Sequence, residues 1–138
     1  MIPVLVLTHG DLANAILESG RKIDPHLVEH TDAVTLPWEV DTDAAAKDLK
    51  KRLKNLDQGA GVLILTDMFG GTATNLALPF LEPNRIEIVT GVNLPMLVKL
   101  GSMRGREIPL HELAGHLAVS GQKSIRLASE FLRGRSTG

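Results

Sequence analysis

Four short apolar runs, each followed by a helix-patterned segment, constrain this chain more than any other feature. They cover residues 2–7, 33–36, 61–66 and 86–90. Short apolar runs without polar alternation read as strands buried on both faces, the usual state of a parallel sheet. The segments between them carry the helical period. Leu12, Ala15, Ile16 and Ser19 share one side of a helix over 11–22. Leu49, Leu53 and Leu56 stripe a helix capped by Thr42 or Asp43. A third helix is expected over 72–81, ended or distorted by Pro79, and a fourth over 94–102 with Pro95 in its first turn. An amphipathic segment follows over 110–132, broken near Gly121. This alternation predicts an α/β fold: an open, doubly wound, mostly parallel sheet of about four strands with helices on both faces. It is read as one domain over 1–132. The polar, glycine-rich residues 133–138 are expected to be a disordered tail or the start of a linker.

Composition removes several function classes. The formal net charge is −1 and no basic, aromatic-interleaved stripe occurs, which argues against nucleic acid as a partner. The chain has no cysteine, so neither disulfides nor Cys-ligated metals arise, and a cytoplasmic location is expected. No signal-peptide pattern opens the chain, and no apolar run approaches the ~18 residues of a membrane span. Any membrane role is therefore expected to be indirect, through a partner. No metal-ligand set is evident and no cofactor is implied. His111-Glu112 lacks the i+4 histidine of a zinc-protease helix.

The chemistry concentrates at turns that follow strands. His9 stands in Thr8-His9-Gly10-Asp11 after the first, and Asp67 opens Asp67-Met68-Phe69-Gly70-Gly71-Thr72 after the third. In a parallel sheet such turns gather on one edge, where open α/β folds put their sites. His9 and Asp67 meet if strands one and three are neighbours. A carboxylate accepting from one ring N–H fixes the imidazole tautomer and stabilises a charged product. Gly70 and Gly71, with Gly10, allow backbone N–H groups close to an anion. Thr72, read as a helix N-cap, offers a hydroxyl and a helix amino end. These residues suggest a histidine that carries a phosphoryl group. Thr8 and Asn93 are candidate supporting residues, and Met68, Phe69 and Trp38 are candidate rim or docking residues. His26, His30, His111 and His116 are expected to be incidental.

These motifs, with Gly91-Val92-Asn93-Leu94-Pro95-Met96-Leu97 after strand four, resemble the enzyme IIA domain of the mannose family of the phosphoenolpyruvate:sugar phosphotransferase system. The resemblance covers nearly the whole chain. It implies that His9 accepts a phosphoryl group from phospho-HPr and passes it to a histidine of an enzyme IIB partner. It also implies that Asp67 holds the second ring nitrogen, and that the chain forms a homodimer exchanging an antiparallel edge strand. Many transporter members have Ser-Pro where this chain has Thr72-Ala73, which keeps the hydroxyl. No enzyme IIB domain follows in this sequence. The alternative is a regulatory phosphorelay module whose His9 phosphorylation controls binding to a protein partner.

Overall fold

The computed structural model describes the backbone of residues 1–137 and the side chains of residues 1–134. Strands β1 (Val4–His9), β2 (Thr31–Leu36), β3 (Val62–Thr66) and β4 (Ile86–Val89) form one sheet in the order β2-β1-β3-β4. Every pairing between them is parallel. Helices α1 (Leu12–Ile23), α2 (Thr42–Leu56), α3 (Thr72–Ala77), α4 (Leu94–Met103), α5 (Leu110–Lys123) and α6 (Ala128–Thr137) follow, with 3-10 turns at Pro25–Val28 and Leu78–Phe80.

The central strands explain the two layers. Side chains alternate across a strand, so β1 sends Val4 and Val6 to one face and Leu5 and Leu7 to the other. Val4 and Val6 join Leu63, Leu65 and Val89 against α1, α4 and α5, through Leu17, Leu97, Leu100 and Leu117. Leu5 and Leu7 join Val62 and Ile64 against α2 and α3, through Leu49, Leu53, Ala73 and Ala77. β1 and β3 are apolar throughout because both their faces are covered. β2, an edge strand, is more exposed and tolerates Thr31, Asp32 and Thr35.

Several boundaries differ from the pattern reading. β1 runs on to His9, because His9 pairs with Leu36 and the Gly10 N–H donates to the Leu36 carbonyl at 2.8 Å. The α2 cap is Asp41, not Thr42 or Asp43. Asp41 Oδ1 accepts from the N–H groups of Asp43 (3.1 Å) and Ala44 (3.2 Å). α3 yields to a 3-10 turn at Leu78, with Pro79 in that turn. Gly121 does not break the C-terminal segment. It is buried inside α5 where a Cβ would run into Met96, and the chain turns only after Lys123. Residues 133–137, expected as a disordered tail, instead extend α6. Ala128, Glu130, Leu132 and Arg133 favour helix, and the Arg126 guanidinium sits 4.9 Å from the Phe131 ring centroid. Gly138 lies outside the described residues. Within the described residues the sheet has four strands, none of them antiparallel to a neighbour.

At the amino edge of the sheet, Arg104 at the end of α4 ties three segments together. Its Nη1 donates to the Ile2 carbonyl (2.6 Å), and its Nη2 to the Glu29 carbonyl (2.7 Å) and Thr31 Oγ1 (3.4 Å). These carbonyls precede β1 and β2, so one guanidinium sets where both strands begin. Hydrogen bonds to a charged group contribute about 1.5–3 kcal/mol each. Arg104→Ala is expected to lower stability by about 2–3 kcal/mol. Urea unfolding followed by circular dichroism measures this, and a loss below experimental error refutes the tie.

Candidate functional site

Four parallel strands open their carboxyl ends on one edge, and β1 lies directly beside β3. His9 ends β1, and Asp67 is the first residue after β3. The Asp67 carboxylate reaches across this gap. Its Oδ2 accepts from the His9 backbone N–H at 2.9 Å and lies 2.7 Å from His9 Nδ1. Its Oδ1 accepts from the Met68 N–H at 2.9 Å. Burial pushes the Asp67 pKa up, but the hydrogen bonds from the His9 backbone, the His9 ring and Met68 outweigh it. The carboxyl is held below its ordinary value of 3.8. An ionised carboxylate can only accept, so Nδ1 carries a proton toward Oδ2, and in the neutral ring the free lone pair is then on Nε2. The His9 and Asp67 side chains are only 18% and 11% exposed, so the pair is shielded but not sealed.

A broad depression surrounds the ring. Gly10, Asp11, Leu12, Trp38, Met68 and the segment Gly70–Thr72 line it with His9 and Asp67. Gly10 has φ +53° and Gly70 φ +81°, left-handed conformations that favour glycine. Gly71 is required for space instead: a Cβ there would stand 3.0 Å from Met68 Cγ and 3.3 Å from His9 Cε1. The Trp38 indole, from the loop after β2, stacks on the imidazole with centroids 5.5 Å apart and planes 16° apart.

The roles of the remaining candidates differ from one another. Thr72 is the first residue of α3, and Gly71, not Thr72, occupies the cap position. Thr8 is fully buried and its Oγ1 accepts from the Ala13 N–H at 2.8 Å, so it anchors the start of α1 beneath the site. Phe69 is 77% exposed and faces a neighbouring groove that includes Val89 and Met96. Asn93 does not join the His9 depression. It caps α4, its Oδ1 accepting from the Met96 N–H at 3.0 Å, with an extended φ of −145°. His26 and His30 precede β2, and His111 and His116 lie on α5; none of the four lines the depression.

The pattern reading missed Thr66 and Thr74. Both are fully buried. Thr74 Oγ1 donates to the Met68 carbonyl at 2.6 Å, which uses its only proton, so Thr66 Oγ1 must donate to Thr74 Oγ1 across 2.7 Å. This relay runs from the end of β3 through α3 to the turn that carries Asp67. The available signal was a threonine closing an otherwise apolar strand, which occurs at both Thr8 and Thr66.

Comparison with known proteins gives the class. A family model described as the PTS system fructose IIA component (EIIA-man) matches residues 3–118. The chain belongs to this family. It is a IIA-type phosphocarrier that transfers phosphoryl groups through a histidine within the phosphotransferase cascade, by way of a phosphohistidine. The PTS system fructose-specific EIIA component of Bacillus subtilis (strain 168) is 33% identical over 96% of this chain and 90% of its own length. The PTS system mannose-specific EIIAB component of Escherichia coli (strain K12) is 27% identical over 91% of this chain, which spans 39% of that longer protein. The crystal structure of phosphotransferase system component EIIA from Streptococcus agalactiae superposes with a TM-score of 0.82, at 22% identity, covering 94% of this chain and 99% of that one. That likeness is one of fold. Among the described residues, no helix is long and apolar enough to cross a membrane.

Two tests follow from the geometry. Asp67 has a depressed folded-state pKa, so its stabilising contribution is complete above its ordinary value of 3.8 and is lost as pH falls from there through the lower folded value. Asp67→Asn is expected to be less stable than wild type at pH 7, and the gap should close below pH ~3.8 in urea midpoints measured across pH. A gap that persists at the acid end contradicts the ionised assignment. Thr74→Val removes the donor to the Met68 carbonyl and is expected to cost about 1–3 kcal/mol. Hydrogen exchange of the 67–71 amides should rise with it; unchanged exchange argues against the relay.

Proposed function

We propose that His9 is the histidine that carries the phosphoryl group, with Nε2 as the reacting atom. The bond between His9 Nδ1 and Asp67 Oδ2 at 2.7 Å carries this reading, because it fixes the proton on Nδ1 and leaves Nε2 nucleophilic. The Nε2 lone pair attacks the phosphorus of the donor's phosphohistidine. The donor's P–N bond breaks, and its electron pair returns to the donor ring. The His9 ring then gains cationic character, which the Asp67 carboxylate stabilises without accepting the proton. Transfer onward reverses these steps on the acceptor's imidazole.

Gly10, Gly70, Gly71 and Thr72 line the same depression; the Gly10 and Gly71 N–H groups are held by the Leu36 and Met68 carbonyls, so the Gly70 and Thr72 N–H groups and the Thr72 hydroxyl are the donors proposed for the phosphoryl oxygens. No lysine or arginine is among the lining residues, so part of the charge neutralisation falls to the docking protein. A wide, shallow site suits protein partners that must reach Nε2 in turn. Phospho-HPr is the proposed donor and an enzyme IIB histidine the proposed acceptor. Met68, at 58% exposure, and Trp38 offer apolar contacts at the rim. Homodimer formation is also proposed. β4 ends the sheet, and its outer edge favours pairing with a second copy.

Incubation with phosphoenolpyruvate, enzyme I and HPr is expected to add one acid-labile phosphoryl group, detected by intact-protein mass. His9→Ala should abolish labelling, and Asp67→Ala should slow it by about 100-fold. Full labelling of the His9→Ala protein would show that another residue is the carrier.

A further inference from the structure

Trp38 has no packing reason to be where it is. It is 80% exposed, yet its indole lies nearly parallel to the His9 imidazole, 5.5 Å between centroids. That distance falls within the roughly 4.5–7 Å of offset-stacked aromatic pairs. Gly10, at φ +53°, lies under the indole, and a Cβ there would approach Trp38 Cζ2 to 3.4 Å. On the imidazole's surroundings, Gly71 stands so close that its missing Cβ would be 3.3 Å from His9 Cε1. The Asp67 hydrogen bond fixes Nδ1 at one point of the ring but leaves rotation about that point as a soft motion. A contact on the ring face restrains it.

We propose that Trp38 is a positioning residue for phosphoryl transfer: it clamps the face of the His9 imidazole, so that the Asp67 bond and the indole together fix the direction of the Nε2 lone pair. This rests on His9 as the carrier. Attack on phosphorus needs Nε2 aligned with the breaking P–N bond of the donor, and misalignment of a reacting group by an ångström can lower a rate by about 100-fold. The indole π face also favours the cationic character that the ring gains as the N–P bond forms. The imidazole ends β1, and its two restraints come from the loops after β2 and β3. Trp38 is the contribution of the β2 loop, which otherwise gives nothing to the site. The acidic groups near the ring, Asp67 and Asp11, lie on the segments after β3 and β1.

The test separates positioning from docking, the alternative for so exposed a tryptophan. In the unphosphorylated protein, the indole ring current should displace the His9 Hδ2 and Hε1 resonances. Trp38→Ala should move them toward free-histidine values, and Trp38→Phe should keep part of the displacement. With phospho-HPr as donor, Trp38→Ala is expected to lower kcat by about tenfold with KM within about twofold, and Trp38→Phe to restore most of kcat. Unmoved ring resonances in Trp38→Ala, or a raised KM at unchanged kcat, overturns the proposal. Exposure of Trp38 means that neither variant removes core packing. If the wild-type protein takes no phosphoryl group from phospho-HPr, the carrier reading fails, and the ring resonances still decide whether Trp38 holds His9.

Discussion

The parallel pairing of β1 with β3 is the constraint on which the rest depends. It sets Leu7 opposite Thr66, so the residues that follow each strand emerge side by side. His9 and Asp67 lie 58 positions apart in the chain, and only this register brings them within one hydrogen bond. The pairing is stabilised from both faces. Leu5, Leu7, Leu63, Ile64 and Leu65 are all fully buried or nearly so, and each such side chain contributes about 1.5–3 kcal/mol of burial. A slip of one residue would turn every one of these to the wrong face. The position of the carboxylate against the imidazole is thus set by the core beneath it.

Above that core, the site is assembled from loops with few degrees of freedom. Asp67 uses three hydrogen bonds, two from His9 itself, so carboxylate and imidazole orient each other. The Thr66–Thr74 relay fixes the turn from below, and Thr8 fixes the start of α1. Glycines at 10, 70 and 71 let the turns approach the ring. The result is an imidazole held against a carboxylate in a broad depression, the geometry on which the proposed carrier role rests.

Much of this was legible in the residues. The four strands, the helices between them and the role of Pro79 followed from periodicity and breaker chemistry. His9, Asp67 and the glycine turns stood out because reactive and turn-forming residues cluster after apolar runs. The failures have physical causes too. Asp41 outcompeted its neighbours as a cap through two backbone bonds. Asn93 proved to be a helix cap because its loop leads into α4 rather than toward β1. Thr66 and Thr74 were missed because a buried hydroxyl relay has no periodicity, and only the threonine closing an apolar strand hinted at it.

The sequence by itself determined the fold class, the residues that close each strand and the chemistry those residues can perform. These depend on local pattern: apolar runs, turn glycines, a histidine and an aspartate at strand ends. Only the tertiary structure decided which of those ends meet and in what orientation. The order β2-β1-β3-β4 joined His9 to Asp67, sent Asn93 and Phe69 elsewhere and laid Trp38 across the imidazole. Contacts between residues dozens of positions apart are set by packing two apolar layers on one sheet, and no local pattern encodes them.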